Sequence, residues 1–188
     1  MKRFVMTTIL ISLTVLIVLF MDSAHKYACS RSASSYEIKA AFLIKFTDFI
    51  KWPESSFAHD PNHFVFGILG KNVFHNLLDP FIGQTIQGRP FKVRHFRGLK
   101  EISEASDVQM LFVSFSEAHH LKKIFDKVDT KGILTISDTP GFIQYGGTIV
   151  FVKKGNRISF EINRASEEHA GLKISSDLLQ LATRVYRK

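Results

Sequence analysis

The sequence predicts an α/β fold: a single three-layer domain whose largely parallel sheet is flanked by helices, with an antiparallel hairpin near the C-terminal end. Three observations lead there. Short, uninterrupted apolar runs (Phe64–Leu69, Met110–Val113, Ile133–Ile136) suit strands buried on both faces. Between them lie stretches with helical apolar spacing, the alternation that builds a parallel sheet covered by helices. Late in the chain the period changes to two, around a Gly-Asn turn, as in a hairpin.

Taken in order, Ser34-x-x-Glu37 matches a capping box ahead of an apolar pattern. Ile38, Phe42, Leu43, Phe46, Phe49 and Ile50 recur at helical spacing, and the helix is expected to stop at Trp52-Pro53, because proline disfavours helical geometry in the residue before it. Phe64–Leu69 reads as a buried strand, and Gly70-Lys71-Asn72 leads into a short helix over Val73–Leu78. Thr85–Phe96 reads as one strand or a bent pair broken at Gly88-Arg89-Pro90, followed by a polar segment, Leu99–Asp107. Beyond the strand Met110–Val113, Glu117–Val128 is an amphipathic helix with Leu121, Ile124, Phe125 and Val128 on one side. Ile133–Ile136 is a further strand, closed by Ser-Asp-Thr-Pro-Gly. Thr148–Val152 and Arg157–Asn163 form the hairpin, Asn163 caps a short helix that Gly171 stops, and a last helix is expected from about Ser176 to Tyr186.

The N-terminal stretch sets the compartment. Lys2 and Arg3 precede an apolar run, Phe4–Met21, which gives way to a polar segment: the order of an export signal. The run is longer than an ordinary signal core and just long enough to span a bilayer, so residues 1–30 read as a signal peptide cut after Ser30 or as an uncleaved anchor. Cys29 suggests a lipoprotein, but Lys26 stands where an apolar residue is usual. Residues 34–188 then form one exported domain, without repeats or linkers. An exported domain has no ATP or NAD pool, which excludes most cytoplasmic chemistry.

The chain carries a net charge of +8, and cleavage after Ser30 removes Lys2, Arg3, Lys26 and Asp22, leaving +6. The cations are dispersed among carboxylates, which suits an anionic membrane surface or an acidic partner. No groove-reading motif is present, so nucleic acid is not expected as a partner. Cys29 is the only cysteine and lies in the signal region, so the domain forms no internal disulfide and relies on a core rich in phenylalanine, of which the whole chain has 18.

No catalytic residues are assigned. Gly67-x-x-Gly70-Lys71-Asn72 sits where phosphate loops lie but matches neither dinucleotide nor nucleotide fingerprints, and reads as a tight turn with Asn72 as cap. Among eight histidines, His59 and His63 flank Pro61, and His119 and His120 point about 100° apart on a helix, so no metal site is expected. No cofactor is expected either. Asp138 and Glu161 make a carboxylate pair only if the fold unites them; otherwise Asp138 organises its turn. Phe49, Trp52 and Pro53, with Phe46, make an aromatic knob at a helix end, read either as core or as an anchor for a protein partner.

Several segments, in order, resemble the YfiR-like (YfiR/HmsC-like) family of periplasmic regulators: AAFLIKFTDFIKWP, FGILGKNVF, IQGRPFKVR, LTISDTPGF, GGTIVFV and ISFEINRASEEHAGLKISSDLL, across about Tyr36 to Val185. The resemblance implies a periplasmic regulator that is not itself an enzyme. Its partner would be an inner-membrane signalling protein, a diguanylate cyclase restrained through its periplasmic region, with lower cyclic di-GMP and less biofilm as the result. Some members form dimers and some switch through cysteines; this chain lacks cysteines for such a switch. The matched segments add Asn163, Lys173 and Ser175 as a second partner-binding candidate, with a capping network as the plainer alternative. Homodimerisation and a small-molecule effector stay open, and a small-molecule sensor, with a crevice lined by Gly70–Asn72, Ser114–Ser116 and Ser137–Gly141, is the competing reading.

Overall fold

A computed structural model describes residues 35–102 and 107–187. The capping box at Ser34, the apolar leader and Cys29 lie outside the described residues. A helix over 35–49 (α1) opens the domain. It runs directly into a two-residue strand, Ile50–Lys51 (β1). The helix therefore stops before Trp52-Pro53: the Phe49 carbonyl accepts from Ser175 N–H at 2.9 Å, so a long-range bond replaces the next helical one.

The remaining elements, in order, are β2 (Phe64–Leu69), β3 (Thr85–Ile86), β4 (Arg89–Phe96), α2 (Leu99–Ile102), β5 (Met110–Val113), α3 (Leu121–Lys127), β6 (Leu134–Ser137), β7 (Ile149–Lys154), β8 (Arg157–Asn163), α4 (Arg164–His169), β9 (Lys173–Ile174), α5 (Ser176–Leu181) and β10 (Arg184–Tyr186). Among the described residues, eight strands form one sheet in the order β10-β8-β7-β6-β5-β2-β4-β3, while β1 and β9 pair as an antiparallel ribbon. Within the sheet only β7–β8 and β3–β4 are antiparallel. The parallel sheet and late hairpin expected from the sequence are both present.

Three expectations fail at element ends. Val73–Leu78 is a series of turns, with Asn72 accepting from Phe74 N–H and His75 N–H. Residues 115–120 form a 3-10 segment, so the α-helix proper starts only at Leu121. The last helix ends at Leu181, and Arg184–Tyr186 becomes a strand parallel to β8. Thr183 explains the change: its N–H and hydroxyl both donate to the Phe160 carbonyl at 2.9 Å, drawing β-favouring Val185 and Tyr186 onto the sheet edge. Arg184 and Arg187 therefore do not serve a helix end. The break at Gly88 resolves the bent pair as a tight hairpin, with positive φ at both Gln87 and Gly88.

Strand alternation divides the core. Val65, Leu69, Leu111, Val113 and Val150 face one way, packing with Leu121, Ile124, Val128 and Phe142. Phe64, Phe66, Phe112 and Phe151 face the other. There Phe42 and Phe46 of α1 stack and edge onto Phe151 and Phe160, and Phe74 meets both Phe66 and Phe112. Helices thus cover both faces, completing three layers.

At the centre is Gln109, which is fully buried. Its side-chain oxygen accepts from Val65 N–H at 2.7 Å, and its amide donates to the Ser56 carbonyl at 2.5 Å. Its main chain bonds Val65 C=O and Leu134 N–H. Replacing Gln109 with leucine keeps the volume but orphans Val65 N–H and Ser56 C=O, so the expected loss is about 2–4 kcal/mol, read as a lower urea midpoint with unchanged slope.

Candidate functional site

The fold draws together two candidate patches that are more than a hundred residues apart in sequence. Ile50 pairs with Ile174 and Lys51 with Lys173, so Phe49, Trp52 and Pro53 lie beside Lys173 and Ser175 on one ribbon. Each has a local duty. Trp52 is only 8% exposed; its indole N–H donates to the Gln109 carbonyl at 2.9 Å and its ring meets Phe64 edge-on. Pro53 is half-buried against Gly171, and its carbonyl starts the 3-10 turn Glu54–Phe57. Phe49 is half-buried and Lys173 exposed. Ser175 caps α5, accepting from Leu178 N–H. Asn163 stands apart from the ribbon: it is buried and caps α4, accepting from Ala165 and Ser166 N–H while its amide donates to the Ser166 hydroxyl.

Phe49 also lines an apolar groove of about 430 Å³ between α1, β8 and α5, together with Ile38, Phe42, Phe160, Leu178 and Leu181. Ile38 is 43% and Leu181 64% exposed, an unusual outlay of apolar surface at one place. Lys51 and Lys173, both exposed, face each other across the neighbouring ribbon. Like charges directly opposite on a ladder are unfavourable, so this positive spot is held by the rest of the fold and suits an acidic neighbour.

A family model described as YfiR/HmsC-like matches residues 36–183. The chain belongs to the YfiR/HmsC-like family. Members are periplasmic regulators of cyclic di-GMP signalling that act on membrane signalling proteins and are regulatory rather than enzymatic. No helix among the described residues is long and apolar enough to cross a membrane. No curated protein matches the chain. Among solved structures, it is similar to an ABC domain in complex with L-Trp from Streptococcus pneumoniae, at 14% identity and TM-score 0.49, covering 70% of this chain and 58% of that one. It is also similar to a conserved domain protein from Vibrio cholerae, at 10% identity and TM-score 0.49, covering 69% and 57%. The chain thus spans less than two thirds of either structure.

For a YfiR/HmsC-like domain, the polar groups at the strand ends serve structure. Asp138 does not meet Glu161: it pairs with Lys39 of α1 at 2.5 Å, both side chains largely buried, while Glu161 accepts from the Tyr186 hydroxyl. The winding direction reverses between the neighbouring strands β2 and β5, where ligands of open α/β sheets usually bind. Here the loops that follow β2 and β5 approach each other closely. A Cβ on Gly70 would approach the Ser116 hydroxyl to 2.4 Å, and this hydroxyl accepts from Lys71 N–H. Glycine at positive φ is what lets the two loops meet. A larger mixed cavity, about 530 Å³, lies elsewhere, between Phe125, Gln144, Tyr145, Asn163, His169 and Tyr186. Among the described residues no cluster of histidine and carboxylate groups is arranged to hold a metal.

Sequence reasoning missed Glu167, which is buried at the base of the ribbon. One oxygen accepts from Ile174 N–H at 2.8 Å, and the other lies 3.0 Å from Arg164 Nε. Burial pushes its carboxyl above the ordinary 4.5, against the pull of the Ile174 N–H and Arg164. The unfolded chain ionises at the ordinary value and the folded chain at a higher one. Between the two the folded state holds more protons, so this contribution is full below the window and is lost as pH rises through it. Urea midpoints measured from about pH 4 to pH 7 should fall with rising pH relative to Glu167→Gln, which retains an acceptor for Ile174 but does not titrate. Trp52→Ala should cost about 3–5 kcal/mol, as for other large core truncations, measured in the same titration.

Proposed function

We propose that this chain represses a membrane-bound diguanylate cyclase by binding its periplasmic region, lowering cyclic di-GMP and biofilm formation. The observation that carries the reading is the apolar groove of α1 and α5, which exposes Ile38 and Leu181 beside Phe49. Phe49, Pro53 and Lys173 offer surface to the partner, Trp52 and Ser175 hold that surface in place from beneath, and Asn163, apart from the ribbon, caps α4. An apolar segment of the cyclase fills the groove, and a carboxylate near it answers Lys51 and Lys173. Residues 1–30 serve as the export segment and 34–188 as the regulatory domain.

Repression by binding alone requires preference between states. The domain must bind the inactive arrangement of the cyclase more tightly than the active one, and a shift from 1:99 to 99:1 takes about 5.5 kcal/mol of difference. Closing a groove and pairing charges in only one arrangement supplies a difference of that kind.

A second reading, a small-molecule-sensing domain acting on another membrane signalling protein, draws support from the mixed cavity beside Tyr145 and His169. A specific effector there would raise the melting temperature by mass action, and the response would disappear in Tyr145→Ala.

The test compares cyclic di-GMP in cells lacking the gene, cells with it restored, and cells restored with Leu181→Asp or Ile38→Asp. Both positions are exposed, so the variants should melt within about 2 °C of the parent. Deletion should raise cyclic di-GMP, the parent should lower it again, and the two variants should fail to do so. An unchanged level on deletion removes the cyclase, whereas full repression by a folded Leu181→Asp protein moves the contact off the groove.

A further inference from the structure

We infer that the outer edge of β4 is a second docking site, which takes an extended acidic segment of a protein partner as an added strand. The inference concerns a different face from the groove and does not depend on the cyclase reading.

Backbone alternation identifies the edge. Phe96 C=O accepts from Gly70 N–H on the side of β2, while Phe91 N–H and C=O bond Gln84 and Gly83 on the opposite side. Even-numbered residues of β4 therefore face β2 and odd-numbered ones face outward. β3 pairs only with Arg89 and Pro90. Past Phe91 the next outward groups belong to Val93 and His95, and among the described residues no strand pairs with them. The following one, Arg97 N–H, is taken by the Glu101 carboxylate at 2.9 Å. The edge is thus closed at both ends and open for two residues, with two N–H and two C=O groups aimed outward.

Its surroundings define the occupant. Arg89 to Lys100 contains no carboxylate, and Lys92, His95 and Arg97 are exposed. The acids that face this strand are already engaged. Glu54 pairs with Arg89 and Asp107 with Arg94, Asp60 lies near Lys92 and His63, and Glu101 holds Arg97 N–H. The His95 ring bonds the Gly70 carbonyl, which fixes the strand end. Ile82, 54% exposed, precedes the Gly83 that bonds Phe91 and so stands at the head of the gap. Strand addition takes affinity from main-chain bonds and specificity from alternate side chains. An incoming strand of alternating acidic and apolar residues would satisfy the four backbone groups, set its carboxylates on the face that carries Lys92, and cover Ile82.

The test is amide hydrogen exchange, read by NMR on the purified protein. The probes are a capped hexapeptide alternating glutamate and valine and its lysine–valine counterpart. In the free protein Val93 and His95 amides should exchange rapidly, while Lys92 and Arg94, paired to β2, should be protected. The acidic peptide should slow Val93 and His95 at least tenfold, less so in high salt, and the lysine peptide should not. Val93→Pro removes one outward N–H without touching the ladder to β2, and should abolish the effect. Should that variant fail to fold, Lys92→Glu combined with Arg97→Glu should reverse the preference to the lysine peptide. The inference is overturned if both peptides protect alike, or if neither does, in which case the cations only guard the edge. It is equally overturned if the two amides are already protected in a free protein of doubled mass, since a second copy then covers the strand.

Discussion

Much of this structure hangs on one buried amide. Gln109 sits just before β5, at the middle of the sheet, and reaches in two directions: to the main chain of β2 and to the turn that follows β1. Its own carbonyl receives the Trp52 indole and Leu134 N–H. Three chain segments, each distant in sequence from Gln109, are therefore held to that one residue, in surroundings where an unmet polar group is expensive. The aromatic clusters supply the bulk of the burial, but apolar contacts alone tolerate sliding. The directional bonds of Gln109 fix where the turn and Trp52 sit relative to the strands, and hence where Phe49 and the ribbon emerge at the surface.

The central strands were legible because their apolar runs have only one physical use: burial on both faces. The hairpin was legible for the same kind of reason, since alternation and turn chemistry agree at Gly155-Asn156. What sequence did not show was decided at a distance. The last five residues of the expected final helix become a bend and strand because Phe160, more than twenty residues earlier, offers a carbonyl to Thr183. The first helix yields to β1 because Ser175 supplies the competing donor. Neither long-range bond can be read from local periodicity, although Thr183, Val185 and Tyr186 themselves favour strand.

The candidate site follows that pattern. Asn163 and Ser175 were readable as caps, because a cap is a local device of side chain and nearby N–H groups. The meeting of Lys51 with Lys173, the role of Glu167 beneath them, and the pairing of Lys39 with Asp138 all depend on segments that converge only in three dimensions. The aromatic knob was visible as composition, but its division into a buried indole and a half-exposed phenyl ring was not. A binding surface leaves few signatures in sequence, because it is a matter of which ordinary side chains the fold leaves uncovered.

The ribbon of β1 and β9 joins the beginning of the domain to its end, and β10 completes the sheet with nearly the last residues of the chain. The inner strands can pair among themselves first, but neither closure is made until Lys173–Ile174 and Arg184–Tyr186 are present. Those long-range pairings are the slow ones to assemble, since the intervening chain must be ordered first. Until residues 173–186 are in place the domain lacks its closing strands, and the groove beside α5 does not yet exist.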